Sequence, residues 1–177
     1  FYGPKLDIQF RNVHGKEDTM ITVQIDFSLP ERFDMTFIDK DNQKKRPYVI
    51  HRTSIGCYER TLAMLIEKYA GAFPAWMAPV QAKILPIIEK QQPYADSVAA
   101  QLKKLGVRVE VDTRNEKIGY KIREAQLEKI PYMLIIGDKE VENGQVAVRS
   151  RKEGDLGAMD LDAFIQKLTE EIASKAR

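Results

Sequence analysis

The chain is almost without cysteine: Cys57 is the only one in 177 residues. That excludes an intrachain disulfide framework and a zinc site built from cysteine alone, and it fits a reducing cytosol. A dominant charge is lacking too. Lys and Arg number 28 against 26 Asp and Glu, a formal net charge of +2, so bulk charge marks neither a polyanion binder nor an acidic tail. Any nucleic-acid surface must be local. No apolar run approaches the roughly 20 residues that cross a bilayer, so the expectation is a cytoplasmic protein with no membrane partner. The start, Phe1-Tyr2-Gly3-Pro4-Lys5, has neither an initiator Met nor an apolar signal core, which is how a piece of a longer chain would read. Internal repeats and low-complexity segments are missing as well. What is present is a 44% hydrophobic composition, enough for a real core and for one large or two small domains.

The first third alternates apolar and polar residues in short runs. Leu6, Ile8 and Phe10 are followed by Ile21, Val23, Ile25 and Phe27 across the turn-forming His14-Gly15-Lys16-Glu17, which predicts an antiparallel hairpin. A second strand pair is expected from Met35 to Ile38 and from Tyr48 to Ile50, flanking a polar turn. The period then changes: Tyr58, Leu62, Leu65 and Tyr69 recur at helical spacing, predicting a helix over 56–69. The uncharged, proline-interrupted stretch from Gly71 to Pro79 reads as a packed interdomain crossing, with the domains at 1–78 and 79–177. Beyond it strands are predicted at 80–85, 107–111, 132–136 and 146–149, and helices at 92–105, 117–127 and 161–173. That alternation predicts an α/β domain with a parallel or mixed sheet.

Local charge is more informative than the total. Between residues 103 and 129, eight basic residues (Lys103, Lys104, Arg108, Arg114, Lys117, Lys121, Arg123 and Lys129) face five acids, which reads either as one wall of a phosphate-contacting surface or as a solvated helix face. Asn115 stands where a strand gives way to a helix, so it is a candidate helix cap, and its amide can both donate to and accept from a nucleobase. Gly119 lies inside a helical pattern at a cost of about 1 kcal/mol, which suggests close approach by another chain or by RNA. The loop Gly137-Asp138-Lys139-Glu140 and the run Val148-Arg149-Ser150-Arg151 follow strands, where open α/β sheets usually bind ligands. Glu140 offers acceptors and Arg149 a planar bidentate donor. Tyr94, Tyr120 and Tyr132 are candidate stacking surfaces for unpaired bases, each also readable as a core or rim residue.

The runs Asp112 to Arg123, Ile130-Pro131-Tyr132-Met133-Leu134, Gly137 to Val141 and Val146-Ala147-Val148-Arg149 resemble the anticodon-binding domain of class II aminoacyl-tRNA synthetases. The front of the chain narrows the likeness. Phe1 to Lys5, Thr22 to Pro30, and His51-Arg52 through Gly56-Cys57-Tyr58-Glu59-Arg60 resemble the end of the threonyl-tRNA synthetase catalytic domain. The resemblance implies an α/β chain with an α+β catalytic remnant: the antiparallel-sheet end of a class II catalytic domain, then a mixed-sheet anticodon-binding domain. The family adenylates threonine with ATP and Mg, then transfers it to its tRNA, and its members are homodimers.

Residue by residue, the resemblance implies that Ile50 to Arg60 is the third class II motif, with Arg60 against the ATP phosphates, where a guanidinium stabilises charge on the departing pyrophosphate. His51 corresponds to one of three protein ligands of a zinc that holds the amino and hydroxyl groups of threonine. Tyr2 and Gln24 correspond to the threonine pocket, and Lys5 to the neighbourhood of the reacting carboxylate and the tRNA end. Asn115, Lys117, Glu140 and Arg149 correspond to anticodon contacts, and Lys139 to a backbone contact. Two departures stand out. Asp18-Thr19-Met20 replaces the Trp-Gln-Cys of many members, which removes a glutamine contact to the nucleotide, and Cys57 stands where Ser is common. A non-catalytic RNA-binding protein assembled from the same parts is the alternative, and the retained pocket residues argue against it. Because the other zinc ligands and the first two class II motifs are not in these 177 residues, threonine-dependent pyrophosphate exchange by the chain alone is expected at background.

Overall fold

The computed structural model describes residues 2–176, and Phe1 of the first quoted motif lies outside them. The chain divides into two units, with the division between Tyr69 and Ala70. In the first unit the predicted hairpin forms: β1 (Lys5–Arg11) and β2 (Glu17–Asp26) pair antiparallel, with Leu6 opposite Val23 and a bulge after Ile8. The short helix α1 (Ser28–Arg32) follows.

The second expected strand pair is overturned. β3 (Phe37–Ile38) pairs with β4 (Lys44–Lys45) instead, and β5 (Val49–Arg52) crosses to the open edge of β2, with Gln24 opposite His51. The ten-residue β2 exposes a full ladder of N–H and C=O groups on its second edge, and β5 satisfies part of it. The sheet order is therefore β1-β2-β5. Two glycines press on β2. A Cβ on Gly3 would come within 2.3 Å of the Ile25 carbonyl oxygen, and one on Gly56 within 2.3 Å of that of Met20. Both have positive φ, +149° and +76°, so no other residue fits either place without strain. Helix α2 (Tyr58–Tyr69) closes the unit.

The second unit is a five-stranded sheet in the order β10-β9-β8-β6-β7. Its parallel heart is β6 (Ala82–Pro86), flanked by β7 (Val109–Val111) and β8 (Tyr132–Ile136). β9 (Gln145–Ser150) and β10 (Gly154–Asp160) add an antiparallel hairpin on the β8 side. A 3-10 turn at Glu89–Gln91 leads into α3 (Gln92–Lys104), and α4 (Ile118–Leu127), α5 (Asp138–Asn143) and α6 (Leu161–Ser174) supply the other helices.

β10 was not expected, since its two glycines and two aspartates read as loop. It forms because the β9 edge is there to pair with, and a bulge between Asp155 and Gly157 absorbs the irregular run. The sheet buries both faces. Ile84, Leu134, Ile136, Val146 and Val148 meet α3 and α6 through Val98, Leu102, Phe164 and Leu168, while Leu85 and Met133 meet α4 through Ala125. Such two-sided burial explains the unbroken apolar run of β8 and the fully buried β6, whose one charged residue, Lys83, is paired with Glu128.

The stretch 70–78, read as an interdomain crossing, packs as part of the second unit. Ala75 lies in its core, the Arg151 guanidinium donates to the carbonyls of Ala72 (3.1 Å) and Phe73 (2.6 Å), and Lys129 donates to that of Ala70. No helix among the described residues is long and apolar enough to cross a membrane. Trp76 is the only tryptophan and belongs to the second unit, so its fluorescence reports that unit alone. Leu134→Ala is expected to lower the unit's unfolding free energy by about 2–5 kcal/mol, as read by urea unfolding followed at Trp76.

Candidate functional site

In the first unit the strand register sets the candidate site. Lys5 is opposite Gln24, and Gln24 is opposite His51, so three predicted site residues form one row across β1, β2 and β5. Directly opposed residues share a sheet face. Tyr2 lies at the edge of the same sheet, where its carbonyl accepts the Phe27 N–H at 3.0 Å. Lys5 is tied to Asp7 (Nζ to Oδ2 2.7 Å), and Thr22 donates to the other Asp7 oxygen at 2.7 Å. The Lys5 side chain, then that of Thr22, hold the Asp7 carboxyl below the ordinary carboxylate range.

Asp26 is a site residue that sequence reasoning missed. It is fully buried, its Oδ1 accepts the N–H groups of Ser28 (2.8 Å) and Leu29 (2.9 Å), and its Oδ2 meets His51 Nε2 at 2.8 Å. Burial pushes this carboxyl up, yet the Leu29 N–H, the His51 ring and the Ser28 N–H outweigh it and leave it below its ordinary value. The only signal in the sequence was an aspartate inside the alternating run Ile25-Asp26-Phe27. A carboxylate that fixes one ring nitrogen leaves the other available to a metal. His51 therefore fits as a single zinc ligand, although no group of three His, Cys, Asp or Glu side chains among the described residues could hold an ion.

Arg60 stands apart from this row. It projects from the first turn of α2, and its Nη1 donates to the Thr19 carbonyl at 3.0 Å, five residues along β2 from Gln24 or roughly 17 Å. Cys57 begins that helix: its carbonyl accepts the Thr61 N–H at 3.1 Å, and its Sγ lies 2.7 Å from Glu59 Oε2. The Cys57 side chain holds the Glu59 carboxyl below its ordinary value.

In the second unit Asn115 is not the helix cap. Helix α4 begins at Ile118 and its cap position is Lys117 in extended conformation, which leaves Asn115 exposed in the β7–α4 loop with no hydrogen-bond partner among the described residues. The loop is shaped by Asp112. Its carboxylate takes a two-pronged contact from Arg114 (2.9 and 2.6 Å), and the Arg114 guanidinium in turn stands 5.7 Å from the Tyr120 ring centroid. Glu140 Oε2 accepts the Gly137 N–H at 2.8 Å, which uses one carboxylate oxygen to start α5. Lys139 is exposed on the same short helix.

Asn115 and Glu140 thus lie on segments that leave β7 and β8 at their carboxyl ends. Arg149 does not. β9 runs antiparallel to β8, and Arg149 pairs with Met133 near the start of β8, so the expectation that the end of β9 shares the ligand edge is overturned. Arg149 instead shares the sheet face of Met133, the face that α4 covers over the neighbouring strands.

Two further expectations change. Of the eight basic residues between 103 and 129, Arg108 is bound to the carbonyls of Trp76 and Ala78, Arg114 to Asp112, Lys129 to Ala70, and Lys121 is buried, so no continuous basic wall exists. Among the tyrosines, Tyr132 is core, with its hydroxyl on Glu171 (2.6 Å) and its ring edge-on to Phe164, and Tyr94 donates to the Gln145 carbonyl. Of the three candidates Tyr94, Tyr120 and Tyr132, only Tyr120 is exposed for stacking. A Cβ on Gly119 would meet nothing within 4 Å among the described residues outside its own helix, so the space beside it is open.

Comparison with known proteins agrees with this division. Residues 81–171 match the family model of the anticodon binding domain, and residues 1–69 that of the tRNA synthetase class II core domain (G, H, P, S and T). The chain belongs to the class II aminoacyl-tRNA synthetase family. Within it, the chain is similar to threonine–tRNA ligases: 67% identical over all 177 residues to that of Clostridium botulinum (strain Eklund 17B / Type B), and 58% identical over 175 residues to that of Acetivibrio thermocellus. In both cases it spans 28% of the relative's length. A crystal structure of the RNA binding domain of threonyl-tRNA synthetase from Cryptosporidium parvum Iowa II superposes with a TM-score of 0.80 at 37% identity, covering 96% of this chain and 43% of that one.

Asp112 gives this site a testable pH signature. The Arg114 side chain chiefly, against the upward push of burial and with help from the Arg114 N–H and the Lys121 charge, holds its carboxyl below the ordinary range. With the folded value below the unfolded one, near 3.9, the stabilisation is fully present above about pH 4 and lost as pH falls through the folded value. Asp112→Asn is expected to destabilise the second unit at neutral pH, and its gap from the parent chain to narrow toward about pH 2 in urea unfolding followed at Trp76.

Proposed function

We propose that this chain is part of a threonyl-tRNA synthetase, in which the second unit, residues 70–177, reads the anticodon of threonine tRNA and the first, residues 1–69, supplies one side of the site that forms threonyl-adenylate. The observation that carries this reading is the full-length similarity to threonine–tRNA ligases joined to a loop that leaves the Asn115 amide without a protein partner. A side-chain amide with both a donor and an acceptor free is what edge-on recognition of a base requires. Glu140 keeps one carboxylate oxygen for an exocyclic amine, Arg149 offers a planar fork, and Lys117 and Lys139 serve the phosphate backbone.

In the first unit the row of Lys5, Gln24 and His51 forms the floor on which threonine lies, with Tyr2 at its edge. Gln24 orients the amino acid and Lys5 faces its carboxylate. Asp26 fixes the His51 ring so that one nitrogen points to the metal position. Zinc, when bound there, supplies a Lewis acid that takes the amino and hydroxyl groups of threonine. Arg60 serves the phosphates of ATP, delivered with Mg, at the other end of β2. Location in the cytoplasm and a homodimeric parent enzyme belong to the same proposal.

The test is the affinity of the chain for threonine tRNA, compared at one fixed salt concentration with the same tRNA carrying a changed anticodon. Preference for the native anticodon is expected, and Asn115→Ala or Arg149→Ala should each cost about 1–3 kcal/mol and abolish part of that preference. Equal binding to both tRNAs, equally weakened by salt, would sink the reading.

A further inference from the structure

Lys121 sits where α4 should carry an apolar side chain. It lies one turn before the fully buried Ala125 and is itself only 3% exposed. Its Nζ donates to the carbonyls of Pro86 (3.0 Å) and Asp112 (3.1 Å), the residue that ends β6 and the residue that follows β7. An ammonium has three hydrogens to give, and two are used. No carboxylate among the described residues forms an ion pair with it: the nearest acid in the loop, Asp112, is closed on Arg114. A charge desolvated to this degree is costly unless its remaining donor is satisfied.

The residue lines a cavity of about 360 Å³, within the range of small-molecule sites. Pro86, Ile87 and Ile88 give the cavity an apolar wall, and Asn115 with its unpartnered amide stands on the opposite loop. Glu89 and Asp96 also border it. Two carboxylates at the rim work against a phosphate, whereas a flat, neutral ring with an acceptor on its edge suits the apolar wall, the amide and the one spare N–H. Exocyclic carbonyl oxygens supply that acceptor on guanine, uracil and cytosine. Adenine has none.

We propose that Lys121 is a specificity-determining contact of this cavity, its third ammonium hydrogen donated to the carbonyl oxygen of an unstacked nucleobase. This rests on the RNA-reading function proposed above and adds a selection for keto bases that Asn115 alone, able to match several edges, does not provide.

The experiment uses the whole chain and the anticodon stem-loop of threonine tRNA, with each guanine, uracil or cytosine of the loop replaced in turn by an analogue lacking one exocyclic carbonyl oxygen. Two readouts are taken. The lysine side-chain 1H–15N signal of Lys121 in the unmutated chain should move on adding the native stem-loop, and stay unmoved with one particular analogue. That analogue should bind the unmutated chain about tenfold or more weakly, while Lys121→Met, which keeps the volume, should bind native and analogue RNA alike. An unmoved Lys121 signal with RNA demonstrably bound, or a Lys121→Met chain as sensitive to every oxygen deletion as its parent, overturns the assignment. If Lys121→Met does not fold, the ammonium signal decides alone. Failure of the unmutated chain to bind RNA at all, or to prefer the native anticodon, is the distinct pattern that refutes the RNA-reading function and this contact with it.

Discussion

A single buried carboxylate organises the edge at which the second unit presents its candidate ligand groups. Asp112 is 5% exposed, its N–H bonds the Ile84 carbonyl at 2.9 Å, its carbonyl receives Lys121, and its carboxylate is closed by Arg114. Every polar group the residue owns is therefore spoken for, as burial demands. The chain leaving β7 is fixed to β6 on one side and to α4 on the other, and Asn115 is held out to solvent because its neighbour Arg114 is drawn back. A loop so constrained loses little freedom when it binds, which is what a recognition element needs.

The same economy explains how a nearly neutral chain can serve RNA recognition. Three of the eight cations in the basic stretch hold backbone carbonyls in place: Arg108 those of Trp76 and Ala78, Lys121 those of Pro86 and Asp112, and Lys129 that of Ala70, while Arg151, outside the stretch, does the same for Ala72 and Phe73. Guanidinium and ammonium groups used in this way contribute structure and not field. What remains for a polyanion is a small set of exposed groups around one loop and one sheet face, so discrimination must come from placement more than from charge.

Much of the fold was legible because burial imposes periodicity. The runs of β6 and β8, buried on both faces, and the helical spacing of α3, α4 and α6 follow from packing on two sides of a sheet. β10 and the partner of β5 were not legible, since both depend on an edge left open elsewhere in the chain, and no local pattern encodes that. Site residues divide in the same way. Lys5, Gln24 and His51 could be named from their resemblance to a family, but that they form one row is a property of register. Asp26 and Lys121 escaped because a buried charged residue looks, in sequence, like a surface one. Arg149 was named but misplaced, because the direction of β9 cannot be read from β9 itself.

The two glycines that abut β2 carry a consequence for how this protein can change over time. Gly3 presses on the Ile25 carbonyl and Gly56 on that of Met20, so one strand is pinned near both ends by neighbours that have no side chain to trade. Substitution at either place is closed, and a one-residue slip or insertion between them would lift Gln24 out of line with Lys5 and His51 and turn it to the other face. The half-buried side chains between them, Met20 to Gln24 among them, can be exchanged for others that suit a strand, while its length and phase stay frozen. Drift here is confined to chemistry and barred from geometry.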